Sequence, residues 1–288
     1  MKKYLTVLIG HPRGGEKTWH SLYENVVEPL NSDLAILTGK KWIHDQSFVH
    51  KSKYLWVFDE PDDWFSYYEE KFTGNWKKYF ELGKDTGLYN SGSIHFALKN
   101  ILLDDYINDL KEYEQIIFTR FDQFYLNKHS EFSKDFIWIP EGEDYFGLCD
   151  RHAVVPNKYI EQYLDIVSFI DGSESLKFED ELLNCEVTYK NHLASANLIE
   201  KVNRFKRTQF TVSIDGDKNN WRIPIYKINY FNGIYLKYPD EFIASFKNIT
   251  KFEKLKITLS KNFRLLTYYY YLEIRRKLGK VKKIFVKK

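Results

Sequence analysis

The chain has 288 residues, 43% of them apolar and 18% aromatic, with a net charge of +3. That is ample for a sizeable core, in one large domain or one domain with an appendage. Two cysteines, no Cys/His cluster with zinc-ligand spacing and no run of about 20 apolar residues exclude a disulfide scaffold, a zinc module and a membrane span, and favour a reducing cytoplasm.

Tyr4 to Gly10 reads as a buried strand with a glycine stop. Its apolar run is too short for a secretory signal, and His11-Pro12-Arg13 stands where a small-residue cleavage site belongs. Trp19, Leu22, Tyr23, Val26 and Val27 recur at helical spacing, so a helix is expected over 17–27. Leu34 to Thr38 and Leu55 to Phe58 are the next short strands. Pro61 with Asp62 and Asp63 then opens a helix carrying Trp64, Phe65 and Tyr68. A further helix starts at Ser91-Gly92-Ser93 and leads to the strand Ile116 to Thr119. Phe136 to Pro140 is a strand, and 158–170 and 178–198 are expected to be helical. Beyond Arg204 the pattern turns to strands and loops, including 221–228, and helical periodicity returns from Lys251. Strand–helix alternation over the first ~200 residues predicts an α/β fold with a largely parallel sheet.

Charge is unevenly spread. Residues 251–288 carry 13 Lys and Arg against Glu253 and Glu273, a local +11, which leaves −8 on residues 1–250. The expected organisation is therefore a body over 1–250 and a basic, aromatic tail over 251–288. Such a tail suits an anionic membrane surface. Nucleic acid is the competing partner, but the acidic body would repel it, and none is expected.

Two strand endings carry chemistry. The apolar run Ile116-Ile117-Phe118-Thr119 ends in Arg120-Phe121-Asp122, and ligands of open α/β sheets bind at carboxyl ends of strands. Tyr145-Phe146-Gly147-Leu148-Cys149 precedes Asp150-Arg151. The guanidinium groups of Arg120 and Arg151 suit a phosphorylated substrate, and Asp122 suits a divalent cation or a ribose. Asp150 is the preferred carboxylate of its group. Glu186 is a candidate general base for an acceptor hydroxyl. His95 and His192 read as capping or core histidines.

Gly10 to Thr18 nearly matches the P-loop pattern, with Gly10 and Gly15 correctly separated. Glu16 occupies the lysine position, however, and Lys17-Thr18 arrives one residue late. A sulfotransferase-like P-loop enzyme is therefore one rival reading. A non-enzymatic module that binds through its basic tail is another.

In order and spacing, several motifs together resemble a group of bacterial and viral polysaccharide glycosyltransferases. They are Gly10-His11-x-Arg13, Trp19-x-Ser21-Leu22-x-x-Asn25, Pro29-Leu30-x-x-Asp33, Ser91-Gly92 to Ala97-Leu98, and Ile117-x-Thr119-Arg120-x-Asp122. Pro140, Asp150-Arg151-x-Ala153-Val154 and Glu186 with His192-Leu193 continue the series, so the resemblance covers about residues 4–210. It implies a GT-A-like fold with a Rossmann-type nucleotide-binding sheet. It also implies transfer of a sugar from a nucleotide-sugar donor to a glycan or lipid-linked acceptor in surface polysaccharide (capsule or lipopolysaccharide) assembly. With the basic tail docked on the inner leaflet, the expected protein is cytoplasmic and peripheral on the inner face of the membrane. Arg120-x-Asp122 would take the place of an Asp-x-Asp motif, with Asp122 as the metal ligand for Mn²⁺ or Mg²⁺ and Arg120 as an alternative neutraliser of the diphosphate. Gly10, His11 and Arg13 would line the nucleotide pocket, and Asp150 and Glu186 would bind the acceptor or act as base.

Overall fold

A computed structural model describes residues 2–43, 47–214, 230, 231, 233–259 and 263–286. Among them run eleven strands: β1 Lys2–Ile9, β2 Asp33–Gly39, β3 Tyr54–Phe58, β4 Tyr113–Thr119, β5 Gln123–Tyr125, β6 Ile137–Pro140, β7 His152–Pro156, β8 Val202–Phe205, β9 Gln209–Ser213, β10 Tyr230–Phe231 and β11 Ile234–Leu236. The expected strand over 221–228 lies outside the described residues.

The chain divides into two compact units. The first comprises 1–12, 27–121 and 130–205; the second comprises 13–26, 122–129 and 206–288. The first holds a seven-stranded sheet in the order β3-β2-β1-β4-β7-β6-β8. β1, β2, β3 and β4 are mutually parallel, as are β6 and β8, while β7 runs antiparallel to both its neighbours. This is the expected α/β class, a mostly parallel sheet flanked by helices. The strands read as apolar runs because both faces are covered: Leu5, Val7, Ala35, Leu37, Ile116 and Phe118 join one core with Phe96, Leu102 and Tyr163.

Several local expectations are refined by identifiable interactions. Asp63 caps the helix Trp64–Lys71 by accepting from the Phe65 N–H, as an N-cap aspartate does. The helix expected over 178–198 is regular only from Cys185 to Ser195. Asn184 stops it at its start, its side chain accepting from the Val187 N–H. Tyr145 to Cys149 is a turn rather than a strand, with Tyr145 at φ 42° and Phe146 at φ 73°. Left-handed backbone of that kind cannot continue a ladder.

The second unit contains a four-stranded antiparallel sheet, β10-β11-β9-β5, and the helices Gly15–Leu22, Pro239–Asn248, Lys251–Leu259 and Phe263–Val286. Its core is Phe124, Phe210, Val212, Leu236, Phe242 and Phe246, joined by Ile257, Leu265, Tyr269 and Leu272. The basic segment from Lys251 thus contributes apolar side chains to this core. Arg207 and Glu241 form a buried pair, and Glu241 Oε2 also accepts from the Thr211 N–H at 2.7 Å. Among the described residues no helix is long and apolar enough to cross a membrane.

Candidate active site

Strand order locates the site. From β1 the chain goes to β2 and β3 on one side, then crosses to β4 on the other. The carboxyl ends of β1 and β4 therefore flank the crevice where open α/β sheets bind ligands. Leu8 is in register with Thr119, so Gly10-His11 and Arg120 leave adjacent strand ends. Thr119 is also in register with His152 of the antiparallel β7, so Asp150 and Arg151, just before it, come to the same edge. Gly10 sits at φ 98°, and a Cβ there would lie 3.9 Å from Leu98. Leu98 belongs to the helix Ser93–Leu110, which also supplies His95 and Lys99.

Asp150 and Glu186 meet opposite electrostatic fates. His95 Nε2 lies 3.6 Å from Asp150 Oδ2. Burial opposes ionisation of Asp150, but the charges of His95 when protonated, Arg151, Arg120 and Lys99 outweigh it and hold its carboxyl below the usual range. Glu186 is pushed up to about 8, first by burial and then by Asp150, with Arg151 and Arg120 pulling less strongly the other way. Arg151 NH2 is 3.3 Å from Glu186 Oε1, and Arg151 NH1 is 3.9 Å from Glu143 Oε2. The side chains of Asp150 and Glu186 keep 12% and 11% of their surface exposed.

Lys99 is 1% exposed, and its Nζ has no hydrogen-bond partner. It lies 4.0 Å from the Tyr189 ring centroid and 4.8 Å from that of Tyr163. Aromatic faces stabilise the ammonium in part. Burial still lowers its pKa to about 8, against the pull of Asp150. His95 falls to about 4 through burial and Lys99, and is neutral at pH 7. His192, by contrast, is a core histidine as expected, its Nε2 2.9 Å from the Gln162 carbonyl oxygen.

The Tyr145–Cys149 turn fixes Glu186. The Leu148 N–H donates to the Glu186 carbonyl at 3.0 Å. Only glycine fits at 147, because a Cβ there would stand 2.0 Å from that same oxygen. Asp144 holds the turn, accepting from the Cys149 N–H and from Arg204 NH2. Phe146 is left 83% exposed.

A second cluster stands at the ends of β1, β2 and β3. His11 Nε2 is 2.8 Å from Glu60 Oε1, while Trp42 Nε1 and Lys41 Nζ donate to Glu60 Oε2 at 2.7 and 2.9 Å. The His11 and Trp42 rings lie 4.3 Å apart. Burial pushes the Glu60 pKa up, but these three donors outweigh it, for a net downward shift.

Arg13 and Asp122 belong to the second unit. The Arg13 carbonyl accepts from Trp19 Nε1 at 2.9 Å, and Thr18 Oγ1 donates to the Gly14 carbonyl at 2.7 Å. In a P-loop that hydroxyl would serve a cation; here it closes the first helical turn. Asp122 Oδ2 is 3.9 Å from Lys237 Nζ, both side chains buried. Among the described residues no three metal-ligating side chains gather. One carboxylate beside an ammonium does not fit a cation held by protein groups alone.

The fold brings Arg120, Asp150, Arg151 and Glu186, all candidates from the sequence, to one neighbourhood. Lys99, which the sequence did not single out, and His95, which it gave as a capping or core histidine, stand there as well. Their signal was a pair four residues apart, hence on one helical face, with Lys99 set between the apolar stretches Phe96-Ala97-Leu98 and Ile101-Leu102. Glu60, Lys41 and Trp42 were also missed, since nothing local marks them as partners of His11.

No family model matches the sequence, and no curated protein does. Among solved structures the chain is similar to the glycosyltransferase GlyE of Streptococcus pneumoniae TIGR4, with a TM-score of 0.39 and 11% identity over 72% of this chain and 46% of that one. The chain thus spans less than half the length of that protein. So distant a likeness carries no argument about activity.

Proposed function

We propose that this protein is a glycosyltransferase that moves a sugar from a nucleotide-sugar donor to a hydroxyl of a glycan or lipid-linked acceptor in surface polysaccharide assembly. The observation that carries the reading is the carboxylate pair. Asp150 is held ionised and Glu186 is pushed to about 8, beside Arg120 and Arg151 at the switch point of the sheet. Environments that separate two carboxyl pKa values assign acid and base roles. Asp150 takes the proton of the acceptor hydroxyl. Glu186, protonated at neutral pH, donates a hydrogen bond to the same acceptor. Arg120 and Arg151 offset the charge that grows on the leaving diphosphate. Gly10 and His11 line the nucleotide end, and the order of motifs in the sequence supports this assignment.

A thermal-shift panel with UDP, GDP, CMP and dTDP, each with and without Mn²⁺ or Mg²⁺, tests the reading. At about 100 times its dissociation constant the cognate nucleotide stabilises by about 2.7 kcal/mol, and Arg120→Ala removes the shift. Dependence on the cation would show that the ion binds together with the nucleotide. Silence from every nucleotide overturns the reading. Stabilisation by adenosine 3′,5′-bisphosphate alone would move it to sulfuryl transfer.

A further inference from the structure

We infer that the two C-terminal helices form a docking surface for an anionic lipid bilayer, made of paired apolar rows bordered by basic side chains. Each helix turns one face to the core and leaves a second apolar face outward. In Lys251–Leu259, Ile257 is buried, while Phe252, Leu255 and Leu259 are exposed, Leu259 at 80%. Positions 252, 255 and 259 fall on one helical stripe. In Phe263–Val286, Leu265, Tyr269 and Leu272 face the core. Tyr270, Tyr271, Ile274 and Leu278 are exposed, Leu278 at 63%. At 3.6 residues per turn this second row lies opposite the buried one.

The borders of the rows point to the occupant. On the same helical wheel Lys277 flanks the 270–278 row on one side and Arg264 and Arg275 on the other, all three exposed. Lys251 and Lys256 are exposed beside the 252–259 row. An apolar stripe with tyrosines, edged by cations, matches the headgroup boundary of a bilayer whose surface is negative. A second copy of this chain fits poorly. A two-fold contact would set the same patch against itself, in a segment that carries +11. The inference is independent of the transferase chemistry, since it uses no residue of the candidate active site.

The test is co-sedimentation of the 288-residue chain with vesicles of phosphatidylcholine, alone or mixed with phosphatidylglycerol, at low and high salt. Binding to the mixed vesicles, weakened by salt, is the expected result. Arg264→Ser/Arg275→Ser/Lys277→Ser should lower the partition coefficient on the order of 100-fold. Ile274→Ser/Leu278→Ser should also lower it, and a melting curve unchanged by either set shows that the fold survives. Three results overturn the inference: equal pelleting with neutral vesicles, no pelleting with either kind, or self-association of the free protein that Ile274→Ser/Leu278→Ser abolishes.

Discussion

Two carboxylates of the first unit, Glu60 and Glu186, have side chains only 5% and 11% exposed, and they show how partners decide what burial does. Glu60 has three donors within 2.9 Å and its pKa falls. Glu186 has one guanidinium at 3.3 Å and an ionised neighbour, Asp150, and its pKa rises to about 8. Saturated with donors, a carboxylate is a fixed charge that ties strand ends together. Short of donors and beside a like charge, it is poised to exchange a proton near neutrality. The first arrangement ties the edge of the sheet together, and the second leaves a carboxyl there that is free to titrate near neutrality.

The contrast can be broken most severely at Gly147. A Cβ there would meet the Glu186 carbonyl oxygen at 2.0 Å and the Val187 nitrogen at 2.3 Å. Both are backbone atoms and cannot rotate away. Gly147→Ala should cost about 3 kcal/mol or more in a denaturant titration, and should displace Glu186 from Arg151.

Lys99 tests the under-partnered side. Its folded-state pKa lies at about 8, below the ordinary 10.5, so the unfolded chain binds more protons between those values. Stability therefore rises as pH climbs through that window, by roughly 3 kcal/mol. Lys99→Met should flatten this rise and raise the melting temperature at pH 7. A lower melting temperature together with an unchanged pH profile would refute the assignment.

Glu60 tests the saturated side, with the opposite slope. Its folded pKa is depressed, so its contribution is present above the ordinary carboxylate range and is lost as pH falls through the lower folded value. Glu60→Gln should cost about 1–2 kcal/mol at pH 7 and little at acid pH, read from melts at several pH values. Least of all should be the effect at Phe146, which is exposed and left-handed at φ 73°. Phe146→Gly relieves that strain and should raise stability by about 0.5 kcal/mol.

Much of the sheet was legible because β1, β2, β3 and β4 are continuous apolar runs closed by glycine, proline or charge, and a strand buried on both faces has to be written that way. The end of β4 was legible for the same reason: Arg120 breaks an apolar run. The Glu186 helix was drawn too long at its start, because Glu179 to Leu183 share helical composition and only the cap at Asn184 interrupts them. The turn at 145–149 was hidden because Tyr and Phe in left-handed backbone look like strand residues. Tertiary hydrogen bonds to Asp144 and the Glu186 carbonyl hold that conformation, and neither is written locally. Lys99 and Glu60 were illegible for a related reason. Their environments come from segments about 50 to 90 residues away, Asp150 and Tyr189 for one and His11 for the other.

The most direct test of the transferase reading is release of nucleotide from a panel of nucleotide sugars, followed by mass spectrometry, for the protein and its Asp150→Asn variant. The expected result is consumption of one donor class, reduced roughly 100- to 10,000-fold by the substitution, with nucleotide binding retained. Full turnover by Asp150→Asn would contradict the base assignment, and no consumption of any nucleotide sugar in the presence of glycan acceptors would contradict the function itself.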